Sequence, residues 1–223
     1  MNVTSGTDTY GRVKTVGGTP IVTKFAMFES IPLYPLRSYY FISHGETRTR
    51  SVPFLSTTEE VEVNGIPLAV VDRTSVTMAY LRGLFSIMIL FGCISMVPIM
   101  MHFSGTRLDQ LAQLFTGILL GSLAIGIIGG SLTYLVPTPK REEKIREYCG
   151  YAIGICVDPA RVTVDRAIAI GEQFATLGGL ESRNSAIAEL VVCRARIAEG
   201  NNVSALETRT DELLARIEKL AQQ

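Results

Sequence analysis

The sequence has no net charge and few Cys and His residues. Its 223 residues include 21 Lys and Arg against 21 Asp and Glu. Nucleic-acid binding normally needs a basic excess on one face, so this balance argues against that class. The four Cys have no Cys-x-x-Cys spacing, and only two His are present. A zinc site needs about four clustered ligands, so we expect no metal and no cofactor.

Sequence motifs that mark catalytic sites are also missing. The chain contains neither a G-x-x-x-x-G-K-[ST] phosphate loop nor a G-x-S-x-G nucleophile turn. Residues 126–130 are rich in glycine but lie in an apolar run, which indicates helix packing. We therefore expect a protein that is not an enzyme and has no catalytic residues.

Charge is nearly absent from the centre of the chain. Between residues 84 and 136 the only charged residues are Arg107 and Asp109. About twenty uncharged apolar residues suffice to cross the hydrocarbon core of a bilayer. A buried helix pair in a soluble protein is the alternative, but the flanking segments are too small to enclose one. The sequence thus predicts a transmembrane helical hairpin within residues 81–137, with spans at 84–103 and 111–136.

Basic residues indicate the orientation of this hairpin. Lys140, Arg141, Lys144 and Arg146 follow the second span, whereas the short connecting loop has only Arg107. The positive-inside bias places both termini in the cytoplasm and the loop outside. The first residues are polar and lack the apolar core of a signal peptide, so the first span is expected to act as the insertion signal.

Small residues recur along the second span at helical spacing. Gly117 and Gly121 stand four residues apart, and Ser122, Gly126 and Gly130 form a row along one face. Such rows let helix backbones approach closely in lipid. Two interpretations stay open: packing against the first span, and self-association with other copies.

Residues 1–80 have the pattern of a β-rich domain, expected to lie in the cytoplasm. β-Branched and aromatic residues surround a turn signal at Gly17-Gly18. A second signal, Asn64-Gly65, stands between two strand-like runs and favours a hairpin turn. A small antiparallel sheet or barrel is predicted.

One N-terminal segment resembles a segment of uncharacterised bacterial two-span membrane proteins. A Tyr-Gly-basic opening leads to a Thr-Lys-aromatic stretch and then to an I-P-L-x-P-L-x-S-Tyr turn. The resemblance implies a multi-pass protein of the bacterial inner (cell) membrane and implies no activity. The matching positions are Tyr10, Gly11, Arg12, Thr23, Lys24, Phe25, Ile31, Pro32, Leu33, Pro35, Leu36, Ser38 and Tyr39.

Two features of this region bear on ligands. The apolar loop framed by Pro32 and Pro35 is expected to pack in the core of the sheet, with contact to the lipid interface as the alternative. Arg37, His44 and Glu46 lie close in sequence. A solvated loop is the preferred interpretation for these three, with anion binding as the alternative.

Residues 138–223 have a helical pattern and are expected to form a second cytoplasmic domain. Asp158-Pro159 reads as a helix start, because Asp caps well and Pro suits the first turn. Ser204 and Glu207 have the spacing of a capping box at the start of the last helix.

The last helix carries an apolar stripe with three possible uses. It can pack within a helical bundle, form a coiled coil with another copy or a partner, or dock on a different protein. Only about two heptads are present, which is short for an isolated coiled coil. The stripe comprises Leu206, Leu213, Leu214, Ile217 and Leu220.

The sequence therefore predicts an α+β membrane protein with a β-rich domain, a two-helix hairpin and a helical domain. The leading hypothesis is a membrane-anchored interaction or scaffold protein, or an accessory subunit of a membrane complex. The alternative is a small homo-oligomeric channel or pore built from the glycine-rich span. Expected partners are the lipid bilayer and either a second copy or another membrane protein.

Overall fold

The fold was determined from a computed structural model and is of the α+β class, as predicted. Four β-strands and six α-helices are present in the part of the chain that the structure describes. That part comprises residues 3–28, 31–52, 56–94, 110–175, 183–200 and 202–222.

The N-terminal strands form a small closed barrel. Strands that follow one another in the chain pair antiparallel, and the first and last strands close the barrel by pairing in parallel. The predicted antiparallel sheet or barrel is thus present. The strands are β1 (Val3–Val16), β2 (Thr19–Phe28), β3 (Ile31–Val52) and β4 (Ser56–Pro67).

The two predicted turns have different outcomes. Gly17 and Gly18 form the turn between β1 and β2 with φ of 52° and 79°, which glycine adopts without strain. The hairpin at Asn64-Gly65 is wrong, because both residues lie inside β4. A Cβ on Gly65 would stand 2.4 Å from the backbone oxygen of Tyr40. The glycine permits a close approach of two strands there.

The expected burial of the proline loop is met only at Pro32, and the segment is part of a strand rather than a loop. Residues 31–36 belong to β3 and pair with β2 through an irregular register. Such irregularities let a strand accept proline, which cannot donate to the ladder. The side chains of Leu33, Tyr34 and Leu36 are exposed rather than packed in the barrel core.

Two apolar helices follow the barrel and pack on each other. Helix α1 spans Arg73–Ile94, and α2 spans Gln110–Leu132. The first predicted span, 84–103, coincides with α1 up to residue 94, and its remainder lies outside the described residues. Among the helices of the described residues, α1 alone is long and apolar enough to cross a membrane, and Thr116–Leu132 is a shorter apolar helix. The two-span hairpin stays a prediction.

The C-terminal part is helical and packs around its own core. The stripe of the last helix lies in this core: Leu213 and Ile217 are buried, and Leu206 and Leu220 pack against them. The elements are α3 (Lys140–Ile153), a 3-10 turn (Pro159–Arg161), α4 (Val164–Ala175), α5 (Arg183–Ala198) and α6 (Val203–Ala221).

The helix starts differ in how well the sequence indicates them. Asp158 caps the 3-10 turn as predicted, its carboxylate accepting from the backbone N–H of Ala160 at 3.0 Å. The capping box at the start of α6 is wrong. Asn202 is the N-cap, and Ser204 already lies inside the helix.

A second core joins the barrel to the C-terminal helices. Val13, Ile21 and Tyr40 of the barrel pack in one cluster with Val157 and Val162. Apolar burial at this contact favours a fixed arrangement of the two parts.

Candidate functional site

Helices α1 and α2 present a continuous apolar surface to the surroundings. Only 11% of the apolar window of α1 is buried, whereas the core helix of a soluble protein is mostly buried. Large exposed apolar surfaces mark contacts with a membrane or a protein. The exposed side chains include Leu84, Ile87, Leu90, Phe91, Ile94, Ile118, Ile125, Ile127, Ile128 and Leu132.

Small residues set the close packing of α1 on α2. A Cβ on Gly126 would lie 2.8 Å from Ile89 Cγ1 and 3.0 Å from the backbone oxygen of Phe85. The Ser122 hydroxyl lies 2.7 Å from the backbone oxygen of Leu119 and 3.2 Å from that of Met88. The Leu119 bond lies within α2, whereas the Met88 contact and the Gly126 approach join α2 to α1 and are of the kind that associates helices in lipid.

The other predicted packing residues divide between the two faces of α2. A Cβ on Gly130 would stand 3.6 Å from Phe85 Cβ, in ordinary contact with α1. Added Cβ atoms on Gly117 and Gly121 would meet no described atom within 4 Å. The Ser122-to-Gly130 row therefore faces α1, and the Gly117–Gly121 pair faces outward.

A buried carboxylate marks the start of α1. Asp72 Oδ1 accepts from the backbone N–H of Ser75 at 2.9 Å and so caps the helix. Asp72 Oδ2 pairs with Lys14 of β1 at 3.1 Å and with Arg161 of the 3-10 turn at 2.5 Å. Arg161 also binds Glu142 of α3 at 2.6 Å. We call Lys14, Asp72, Glu142 and Arg161 the junction.

The pKa of Asp72 reflects these contacts. Burial alone would raise the pKa of the carboxyl group, since it penalises the charged form. The backbone N–H of Ser75 and the Arg161 and Lys14 side chains outweigh that effect, so the pKa of Asp72 lies below its ordinary value. Asp72 is therefore ionised at neutral pH and binds both cations.

Buried hydroxyl groups extend the junction into the barrel. Thr23 Oγ1 lies 2.9 Å from Ser75 Oγ and 2.7 Å from Ser38 Oγ. Ser75 Oγ donates to the backbone oxygen of Gly11 at 2.7 Å, and Ser38 Oγ accepts from the Asp72 N–H at 2.9 Å. These bonds hold the first turn of α1 against β1, β2 and β3.

A buried arginine fastens α3 to the barrel. The Arg146 guanidinium donates to the backbone oxygens of Lys14 and Thr19 at 2.5 Å each and of Cys156 at 3.0 Å. It also lies over the Tyr40 ring at 4.9 Å, a favourable cation–π distance. Burial lowers the pKa of Arg146, yet an arginine stays protonated.

A second network of ion pairs holds the C-terminal helices together. Arg194 contacts both Asp158 carboxylate oxygens, at 3.0 and 2.6 Å, and Glu207 at 2.8 Å. Arg141 of α3 binds Glu207 as well as Asp211. Burial alone would raise the pKa of Glu207, but Arg141 and Arg194 bring the net pKa below its ordinary value.

The three polar residues near residue 44 are solvated, as in the preferred interpretation, although they lie in strand β3 rather than in a loop. Arg37, His44 and Glu46 are all exposed. The His44 ring contacts the Phe41 ring at 4.8 Å between centroids. In the described part of the chain, no group of three His, Cys, Asp or Glu could hold a metal ion.

Sequence reasoning missed the junction because its members are far apart in the chain. An Asp directly before the apolar helix was the available signal for a cap. Nothing local indicates that Lys14 and Arg161 meet that cap. The arrangement has the properties of a structural joint, since its charged groups are paired with one another.

The comparisons yield no relative: no protein-family model, no curated protein and no solved structure matches the chain.

Proposed function

We propose that the chain is a membrane-anchored scaffold or accessory subunit without catalytic chemistry. In this proposal α1 and α2 span a bacterial inner membrane as a hairpin, and the barrel and C-terminal helices lie together in the cytoplasm. The carrying observation is the junction, where one carboxylate links the membrane-facing helix, the barrel and the C-terminal helices.

Contacts between α1 and the end of α2 support the proposal that the barrel and the C-terminal helices lie on the same side of the membrane. Arg82 of α1 donates to the backbone oxygen of Thr133, just after α2, at 2.8 Å. The same guanidinium lies 4.1 Å from the centroid of the Tyr134 ring. Arginine and tyrosine are typical of the membrane interface. The C-terminal end of α2 is thus level with Arg82, just before the uncharged apolar part of α1 begins at Leu84.

The surface available for a partner lies on the barrel and the lipid-facing helices rather than on the α6 stripe. The stripe is buried in the chain's own core, so it offers no docking face in this conformation. Leu33, Tyr34 and Leu36 are exposed on β3 and form a candidate contact for a partner near the membrane.

The test is the native mass of the full chain purified from membranes in mild detergent, with everything that copurifies. A second membrane protein in fixed stoichiometry supports the accessory-subunit proposal. Replacement of Leu33 and Leu36 by Ser should then release that protein, whereas replacement of the exposed Val203 by Ser should not. A chain that purifies alone in every mild detergent contradicts the proposal.

A pore is the second candidate, favoured by the uncovered Gly117–Gly121 pair. Self-association through this face predicts a discrete homo-oligomer by native mass. Gly117→Val and Gly121→Val together should dissociate it, while Ile118→Val and Ile127→Val, exposed on the two flanks of this face, should leave it intact. Reconstituted vesicles that show no ion or solute flux above empty vesicles would exclude the pore.

A further inference from the structure

An open groove of about 920 Å³ lies between the barrel and α1. One wall consists of residues from β1, β2 and β3, and the other is the exposed side of α1 beyond residue 79. Pockets of this size accommodate a large part of a small amphiphile. Apolar lining residues are Val22, Pro32, Phe41, Leu84, Ile87 and Leu90.

Two arginines stand at the barrel end of this groove without acidic partners. Arg12 is exposed and lies over the Phe41 ring at 5.8 Å. Arg82 donates to three neutral oxygens: the Arg12 backbone oxygen and two oxygens of Thr133. No carboxylate among the described residues forms an ion pair with either arginine. Their two positive charges are therefore available to an anion.

The apolar wall continues away from these charges along α1. From Arg82 to Leu90 the helix advances by about 12 Å at 1.5 Å per residue. The groove thus has a cationic end beside the barrel and an apolar extension in the direction of the proposed membrane core. A ligand that matches both ends has an anionic head and a hydrocarbon chain.

We propose that this groove binds one anionic phospholipid, with its phosphate at Arg12 and Arg82 and one acyl chain against Leu84, Ile87 and Leu90. Arginine forms forked hydrogen bonds with phosphate, and basic pockets at the cytoplasmic side of membrane helices bind lipid head groups. The site rests on the membrane insertion proposed above and adds a ligand to it. Arg82 is already held in place by Thr133, so its position is set before the lipid arrives.

The site can be tested with a short-chain phosphatidylglycerol used below its micelle-forming concentration. Binding to the full chain in a non-ionic detergent is measured by native mass spectrometry. Phosphatidylcholine of the same chain length and inorganic phosphate serve as the other two probes. We expect phosphatidylglycerol to bind at least tenfold more tightly than either, since only it offers both the net charge and the chain.

Variants separate the charged end from the apolar wall. Arg12→Gln should weaken phosphatidylglycerol binding about tenfold, as expected for a lost charge-assisted contact, and the exposed Arg48→Gln should not change it. A Cβ on Gly83 meets open space, so Gly83→Leu fills the groove without a clash and should abolish binding. Gly117→Leu, which also points into open space, is its control.

Three results would overturn the lipid site. If phosphatidylcholine binds as tightly as phosphatidylglycerol, the two arginines do not select the ligand. If inorganic phosphate binds as tightly as phosphatidylglycerol, this is a site for a free anion and not for a lipid. Binding that survives both Arg12→Gln and Gly83→Leu places the lipid elsewhere. Failure of membrane insertion is recognised separately, because the chain would then be recovered from cells without detergent.

Discussion

At the residue scale, Asp72 has more partners than its sequence context indicates. Its backbone and carboxylate cap α1, and its second oxygen pairs with Lys14 and Arg161. Removal of one partner from a buried ion cluster leaves the other charges uncompensated. The cluster is therefore more sensitive to substitution than the exposed ion pairs of the barrel.

Asp72→Asn should lower the free energy of unfolding by about 3 kcal/mol, because Lys14 and Arg161 lose their shared carboxylate. Thermal unfolding in detergent, followed by circular dichroism, measures the change. The control is Glu62→Gln, which breaks the Arg48–Glu62 pair, whose side chains are 70% and 53% exposed. That control should cost less than about 0.5 kcal/mol. Equal stability of the two variants would contradict the role of the junction.

The pH dependence of stability follows from the lowered pKa of Asp72. A carboxyl group with a lower pKa in the folded state stabilises that state above its unfolded pKa of about 4. This contribution is lost as the pH falls through the lower, folded pKa. The stability difference between wild type and Asp72→Asn should thus be constant from about pH 5 to 7 and shrink below about pH 4. A difference that is unchanged at pH 3 would show that the charge of Asp72 is not responsible.

At the scale of secondary-structure elements, the sequence predicts which segments are strands and which are helices. It does not predict why a particular residue, such as a glycine, is needed at its position. The turn at Gly17-Gly18 and the cap at Asp158 are confirmed, since both depend on local backbone preferences. The predicted hairpin turn at residues 64–65 is wrong. Gly65 is needed there for a different reason, since a Cβ at this position would collide with the backbone oxygen of the distant Tyr40. Local patterns do not distinguish these two uses of a small residue.

The packing of α1 on α2 can be tested by adding single methyl groups. Gly126→Ala places a Cβ about 3.0 Å from backbone atoms of Phe85 and Ile89, and such overpacking costs about 1–3 kcal/mol. Gly117→Ala enters open space and should be neutral or gain up to about 1 kcal/mol of helix propensity. Unfolding temperatures in the same detergent measure both. Similar values for the two variants would contradict the observed helix contact.

At the scale of the whole molecule, barrel and C-terminal helices are connected by contacts that span most of the chain. Arg146 reaches the backbone of residues 14 and 19, and the second core mixes side chains from both parts. Composition predicted the β-rich and helical segments but could not reveal this contact, since its residues are separated by more than a hundred positions. The KREEKIR segment contains four basic residues, and nothing in its sequence indicates which of them is buried. In the structure the buried residue is Arg146.

Arg146→Met should loosen the C-terminal helices from the barrel, because three backbone oxygens lose their donor at a cost of about 1–3 kcal/mol each. The thiol of Cys149 reports this change: it is buried, and burial raises its pKa well above the ordinary value. In a Cys93→Ser, Cys156→Ser, Cys193→Ser background, where Cys149 is the one remaining thiol of the four, labelling of the protein by a maleimide should become faster. Lys144→Met, at an exposed ion pair, is the control and should leave the rate unchanged. Equal rates would show that Arg146 does not secure the contact.

The proposed topology places both polar parts on one side of the membrane and the loop between the spans on the other. In a Cys93→Ser, Cys156→Ser background, a new thiol at Thr106 should react with an impermeant maleimide in intact spheroplasts. New thiols at the exposed Glu46 of the barrel and Glu199 at the end of α5 should react only after lysis, because the positive-inside bias keeps both parts in the cytoplasm. The shared core requires positions 46 and 199 to behave alike. Labelling of both in intact spheroplasts would reverse the orientation, and labelling of one without the other would contradict the hairpin itself.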